Sequence, residues 1–103
     1  MLFNKCKITV KKRYLNEEIV NTYLKDPAWM KICDLVQDNQ EFIVENPFEM
    51  PKGICASAWA DIRPHIITMA SGGKFKFMKN TNVGIAICSD PFRPVVFEIE
   101  RIS

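Results

Sequence analysis

One stretch, PKGICASAWADIRPHIITMASGG at residues 51–73, constrains the fold more than any other. Cys55, Trp59, Ile62, Ile66 and Met69 recur at steps of +4, +3, +4 and +3, which is one continuous face of a helix. Such a face is stable only when a second layer covers it. The Pro51-Lys52-Gly53 turn precedes the pattern, and Gly72-Gly73 offers a C-cap at its end. Pro64 interrupts it. A proline lacks the N–H of a regular helix interior and crowds the preceding turn, at a cost of about 3 kcal/mol. The spacing therefore predicts either a kink at Pro64 or a second helix starting near it.

The partner layer is legible as strands. In residues 5–13 Cys6, Ile8 and Val10 alternate with Lys7, Thr9 and Lys11, giving one apolar and one basic face. Residues 40–45 form a short strand, and residues 95–102 form the last. Residues 83–89, VGIAICS, are apolar on both faces and read as a central strand. Glu98 and Glu100 share a face of the last strand, and opposite charges across an antiparallel pair are favourable. Lys7 and Lys11 thus predict that the first and last strands are neighbours, with residues 83–89 beyond the last. Asn16 before Glu17-Glu18 starts a helix with a buried stripe of Ile19, Tyr23 and Leu24. Asp26-Pro27 predicts a short helix from about 27 to 36, with Trp29, Ile32, Cys33 and Val36 on one face. Residues 74–82 are a basic, aromatic loop. The order predicts one α+β domain over residues 1–103, a mostly antiparallel sheet of about four strands with two or three helices on one face.

The totals limit the function classes. The chain has 103 residues and a net charge of +2, too small to argue for nucleic acid or an acidic membrane. No apolar run approaches the roughly 18 residues of a membrane span. MLFNKCKITV lacks the apolar core of a signal peptide, so a cytoplasmic location and reduced thiols are expected. The four cysteines stand alone, without a C-x-x-C pair. Cys6 falls on the apolar side of the first strand and reads as packing.

KITVKKR at 7–13, QEF at 40–42, PKGICASAWADI at 51–62, GG at 72–73 and ICSDPFRPVVFEIERI at 87–102 resemble a family of small, functionally uncharacterised cytoplasmic proteins found mainly in anaerobic bacteria and archaea. The P-x-G-x-C-x-x-A-W-x-D-I and C-x-D-x-x-R-P-V blocks carry the resemblance. It implies one intracellular domain and no particular activity. Its pattern has cysteines at Cys33, Cys55 and Cys88. The family commonly has proline after the first and a second cysteine before the last, where this chain has Asp34 and Ile87. It also often has glycine where this chain has Asn39.

Those three thiols are the sharpest candidates. Cys55 falls at a helix start, a place that suits a reactive thiol. If Cys33, Cys55 and Cys88 converge, they could hold a soft metal such as zinc or take part in redox chemistry; otherwise they are structural. His65 is the single imidazole and lies ten residues past Cys55, roughly 15 Å along a regular helix. That spacing argues against a Cys–His nucleophile, and no catalytic residue is assigned. Arg93, held between two prolines, suits an anionic ligand or an ion pair with Asp61 or Asp90. Trp59 reads as a core anchor or as the wall of a pocket beside Cys55. The Lys74–Lys79 loop alternates charge and aromatic rings, as single-strand nucleic-acid binders do, but the small net charge disfavours that reading. A subunit contact fits the loop equally well. The combination favours a small non-enzymatic protein that binds a ligand or metal near Cys55, Cys88 and Arg93, with Trp59 and Asp61 beside them. The alternatives are a thiol-dependent redox protein using Cys55 and a homo-oligomeric module using the 74–79 loop.

Overall fold

A computed structural model describes residues 2–103. The elements run β1 (Cys6–Arg13), α1 (Glu17–Tyr23), a single 3-10 turn over Pro27–Trp29, β2 (Glu41–Val44), α2 (Ala56–Ala70), β3 (Val83–Ile87) and β4 (Val95–Arg101). The strands form one antiparallel sheet in the order β2-β1-β4-β3. The fold is α+β, as the element order predicts.

Strand alternation divides the sheet into two faces. Cys6, Ile8 and Val10 of β1, Phe42 and Val44 of β2, Ala86 of β3, and Val95, Phe97 and Ile99 of β4 all point to one side and are buried. α2 covers that side with Ala58, Trp59, Ile62, Ile66, Met69 and Ala70. Each of the larger side chains removed from water there stabilises the fold by roughly 1.5–3 kcal/mol. The opposite face carries Lys7, which pairs with Glu41 at 3.5 Å and with Glu100 at 3.6 Å. β1 lies beside β4, as the opposite charges predict, and Lys7 is the residue that satisfies the pairing. Lys11 does not, because the β1–β4 register shifts between Val10 and Lys12.

That shift is a β-bulge, and it has a large consequence. Before it, odd-numbered β1 residues lie on the open face. After it, Arg13 stands opposite Val95 and shares the α2 face. Its guanidinium reaches the segment between α1 and β2, where Nη1 donates to the carbonyls of Cys33 (2.6 Å) and Val36 (3.0 Å) and Nε donates to Asp38 (2.9 Å). The charge-assisted bond from Arg13 holds the Asp38 carboxyl below its ordinary range.

The expected helix over 27–36 fails for the same reason. A helix through Val36 needs the carbonyl of Cys33 for the N–H of residue 37. Arg13 takes that carbonyl, and the Gln37 N–H turns instead to the side chain of Gln40. Only Val36 of the expected apolar face is buried; Ile32 is exposed and Trp29 is 84% exposed. The segment ends at Asn39, whose φ of 64° is left-handed, a conformation asparagine adopts more readily than most residues. In α1 the stripe also differs, since Val20 is the buried residue and Tyr23 faces outward. Asn16 starts the helix without a side-chain cap; its own N–H donates to the Phe92 carbonyl.

α2 runs unbroken through Pro64. Pro64 and Ala60, the residue whose carbonyl loses its helical donor, are both on the exposed side, where water can replace the missing N–H. The helix stops in a Schellman motif: Gly73 N–H donates to Thr68 O at 2.8 Å and Gly72 N–H to Met69 O at 3.2 Å, with Gly72 at φ 89°. Arg101 of β4 adds bonds to the carbonyls of Met69 and Gly73 and ties this end to the sheet. No helix among the described residues is long and apolar enough to cross a membrane.

Candidate functional site

At the other end of α2 the sheet, the helix start and two connecting segments enclose a cavity of about 290 Å³. Cys55 is the N-cap residue of α2, with extended backbone (φ −65°, ψ 130°), and its carbonyl accepts the first helical bond from Trp59 N–H. Ala58 and Asp61 follow on the face toward the cavity. Cys88, Ser89, Asp90 and Arg93 come from the turn between β3 and β4, and Cys33 with Val36 from the segment that Arg13 holds. Val95 and Phe97 of β4 form the floor. All three thiols singled out above therefore border one space, and all are partly buried and free. The two sequence blocks also meet here. The first contributes Cys55, Ala58 and Asp61, and the second contributes Cys88, Asp90, Arg93 and Val95.

The turn is built by one acid of its own, Asp90, and by Asp61 of α2. Asp90 Oδ1 accepts the backbone N–H groups of Phe92 (2.9 Å) and Arg93 (3.1 Å), and its Oδ2 pairs with Arg93 Nε at 3.2 Å. Burial would raise this carboxyl, but the two backbone bonds and the Arg93 charge outweigh it, so it lies below the ordinary aspartate range. Asp61 Oδ2 accepts from the N–H of Ser89 at 2.8 Å and from its hydroxyl at 2.9 Å. The ion pair of Arg93 is thus with Asp90, while Asp61 pins the turn to α2 through Ser89. Cys88 is oriented by Val95, whose N–H donates to the sulfur at 3.3 Å while Cys88 N–H donates to Val95 O at 3.0 Å. Among the described residues, the hydrogen bonds leave the two terminal nitrogens of Arg93 unclaimed.

Several expectations change. Trp59 belongs to the core beside Ile62 and does not border the cavity; a tryptophan on a covered helix face is removed from water by the sheet. Cys33, Cys55 and Cys88 border the cavity without forming a metal cage. Among the described residues no group of three or more His, Cys, Asp or Glu side chains is placed to hold a metal ion. His65 lies away from the thiols and stacks on Phe75 with ring centroids 5.3 Å apart. Cys6 is fully buried in the core, and burial pushes its thiol up despite nearby Arg101. Ser89 was not visible as a site residue in the sequence. The usable signal was a hydroxyl immediately after Cys88 in a turn rich in proline and aspartate, where serine commonly bonds locally.

The chain matches no known family profile, no curated protein and no solved structure.

Proposed function

We propose that this protein is a non-enzymatic binder of a small ligand, taken up in the cavity at the start of α2. The observation that supports this is the meeting of three separate thiols and one arginine at a space of about 290 Å³ with an apolar floor. Small-molecule sites have this make-up, with mostly apolar walls and a few convergent polar groups. The ligand class follows from the lining. Val36, Ala58, Val95 and Phe97 suit a short apolar body, and the terminal nitrogens of Arg93 suit a carboxylate at the rim. Asp90 holds the guanidinium by Nε, which leaves its outer edge for the ligand. The thiols of Cys33, Cys55 and Cys88 are wall atoms in this reading, polarizable and weakly polar. Binding is preferred to acid–base catalysis because both cavity carboxylates, Asp61 and Asp90, are occupied in holding the turn. Reduced thiols of this kind belong to a cytoplasmic setting.

The test uses straight-chain carboxylates from acetate to octanoate as probes, followed by NMR shifts of the full chain. Saturable shifts at residues 33, 55, 88 and 93, tightening with chain length and lost in Arg93→Met, are expected. Shifts that do not saturate, or that survive Arg93→Met unchanged, would overturn the assignment. Zinc alone is titrated in parallel. One tightly held zinc per chain, with three thiols protected and binding lost in Cys55→Ser, would replace this reading with a metal site.

A further inference from the structure

The two edges of the sheet are protected very differently. β2 is four residues long and carries Glu41, with Glu45 just beyond it paired to Lys5 at 3.4 Å. β3 is five residues long and contains neither a charge nor a proline. Its apolar character on both faces suggested a central strand, yet it pairs with β4 alone and forms an edge. Gly84 and Ala86 face α2 and are buried. Ile85 and Ile87 face the open side, 47% and 48% exposed. Natural sheet edges are normally blunted by charge, proline or a cover, because an unpaired edge recruits another strand.

The backbone pattern shows which strand fits. Cys88 N–H donates to Val95 O, and Arg101 N–H donates to Asn82 O. In an antiparallel ladder hydrogen-bonded positions alternate, so Gly84 and Ala86 also bond to β4, while Val83, Ile85 and Ile87 aim their backbone groups away from it. Of these outward groups only the Val83 N–H is engaged among the described residues, donating to Asn80 O at 3.1 Å. A second β3 laid antiparallel about a two-fold axis at Ile85 matches this set. Ile85 meets its own copy and exchanges two bonds, and Ile87 N–H of each chain meets the Val83 carbonyl of the other. On the open face Ile85 then packs on Ile85, and Ile87 on Val83. Phe77, 85% exposed, shares a cavity with Ile85 and stands at the same edge.

We infer that β3 is a self-pairing edge, through which two copies of this chain join their sheets into one eight-stranded antiparallel sheet. The edge is short, so the association is reversible and lies at the small end of specific interfaces. It does not depend on the ligand reading, because the cavity lies at the start of α2.

Sedimentation velocity over a concentration series tests it, with Ile85→Lys and, as control, Ile43→Lys. Ile43 is equally exposed, at 48%, but lies on the charged β2 edge. Wild type is expected to show a concentration-dependent dimer. Ile85→Lys is expected to raise its dissociation constant by about tenfold or more, and Ile43→Lys to leave it unchanged. Amide exchange on wild type supplies a check that needs no variant: Ile85 and Ile87 should become protected as concentration rises. A wild type that is monomeric at every concentration would overturn the inference. So would a dimer that Ile85→Lys leaves intact, or one in which the Ile85 and Ile87 amides gain no protection.

Discussion

Removing the Asp61 carboxylate should loosen the whole β3–β4 turn. Asp61 is on α2, 28 residues before Ser89, and both of its bonds converge on one oxygen, at 2.8 Å from the Ser89 N–H and 2.9 Å from the hydroxyl. A hydrogen bond to a charged group contributes about 1.5–3 kcal/mol, and a neutral one about 0.5–1.5 kcal/mol. Both bonds reach the charged oxygen in an exposed setting, so water competes for the same groups and each contributes about 1 kcal/mol, below the lower end, against about 0.5 kcal/mol for each bond to a neutral amide oxygen. Asp61→Ala should then cost about 2 kcal/mol, and Asp61→Asn, whose amide oxygen can still accept, about 1 kcal/mol. At this chain length a loss of 2 kcal/mol lowers the melting temperature by roughly 10 °C. Urea unfolding of wild type, both Asp61 variants, Ser89→Ala and the Asp61→Ala/Ser89→Ala pair measures this as a cycle. The pair should be less destabilised than the sum of the single variants, because each single variant already loses the hydroxyl bond and the sum counts it twice. Cys88 and Cys55, which border the cavity beside this contact, should react faster with a thiol probe in Asp61→Ala. Loss of less than about 0.3 kcal/mol in Asp61→Ala, with unchanged thiol reactivity, would refute the pinning role and show that water substitutes for the carboxylate.

Two further outcomes follow from the same structure. At Asn39, with φ 64°, Asn39→Gly should be neutral or slightly stabilising, while Asn39→Val should cost about 1–2 kcal/mol by urea unfolding; equal stabilities would show that the turn relaxes to an ordinary conformation. The Asp90 carboxyl titrates lower in the folded chain than in the unfolded one, so its contribution is present above the unfolded value and fades as pH falls through the folded value. Wild type should therefore lose more stability on acidification below about pH 4 than Asp90→Asn does, and parallel pH profiles for the two would contradict this.

Local pattern was enough for the elements that are self-consistent over several residues. The helical spacing from Trp59 to Met69 and the glycine pair at 72–73 specified α2 and its Schellman end. The alternation in β1 and the charges of Lys7 and Glu100 specified which strands adjoin, because a period of two leaves one choice of face. Cys55, Cys88 and Arg93, which the sequence singled out, do border one cavity. What local pattern missed was decided at long range. The bulge between Val10 and Lys12 turns Arg13 to the covered face, and Arg13 then takes the carbonyl that a helix over 27–36 would need. Nothing near residue 33 announces this, because the competing donor comes from 20 residues away. The same holds for Trp59, whose burial depends on which sheet residues lie over it, and for Asp61, whose partner is Ser89 and not Arg93. β3 is the sharpest case. Composition marked it as apolar on both faces, which is correct, and only strand order showed that one of those faces and one edge have no partner among the described residues. Sequence by itself determined the elements, their covered faces and one pair of neighbours. Tertiary structure decided which thiols share a cavity and which edge is left open, because those depend on contacts between residues far apart in the chain.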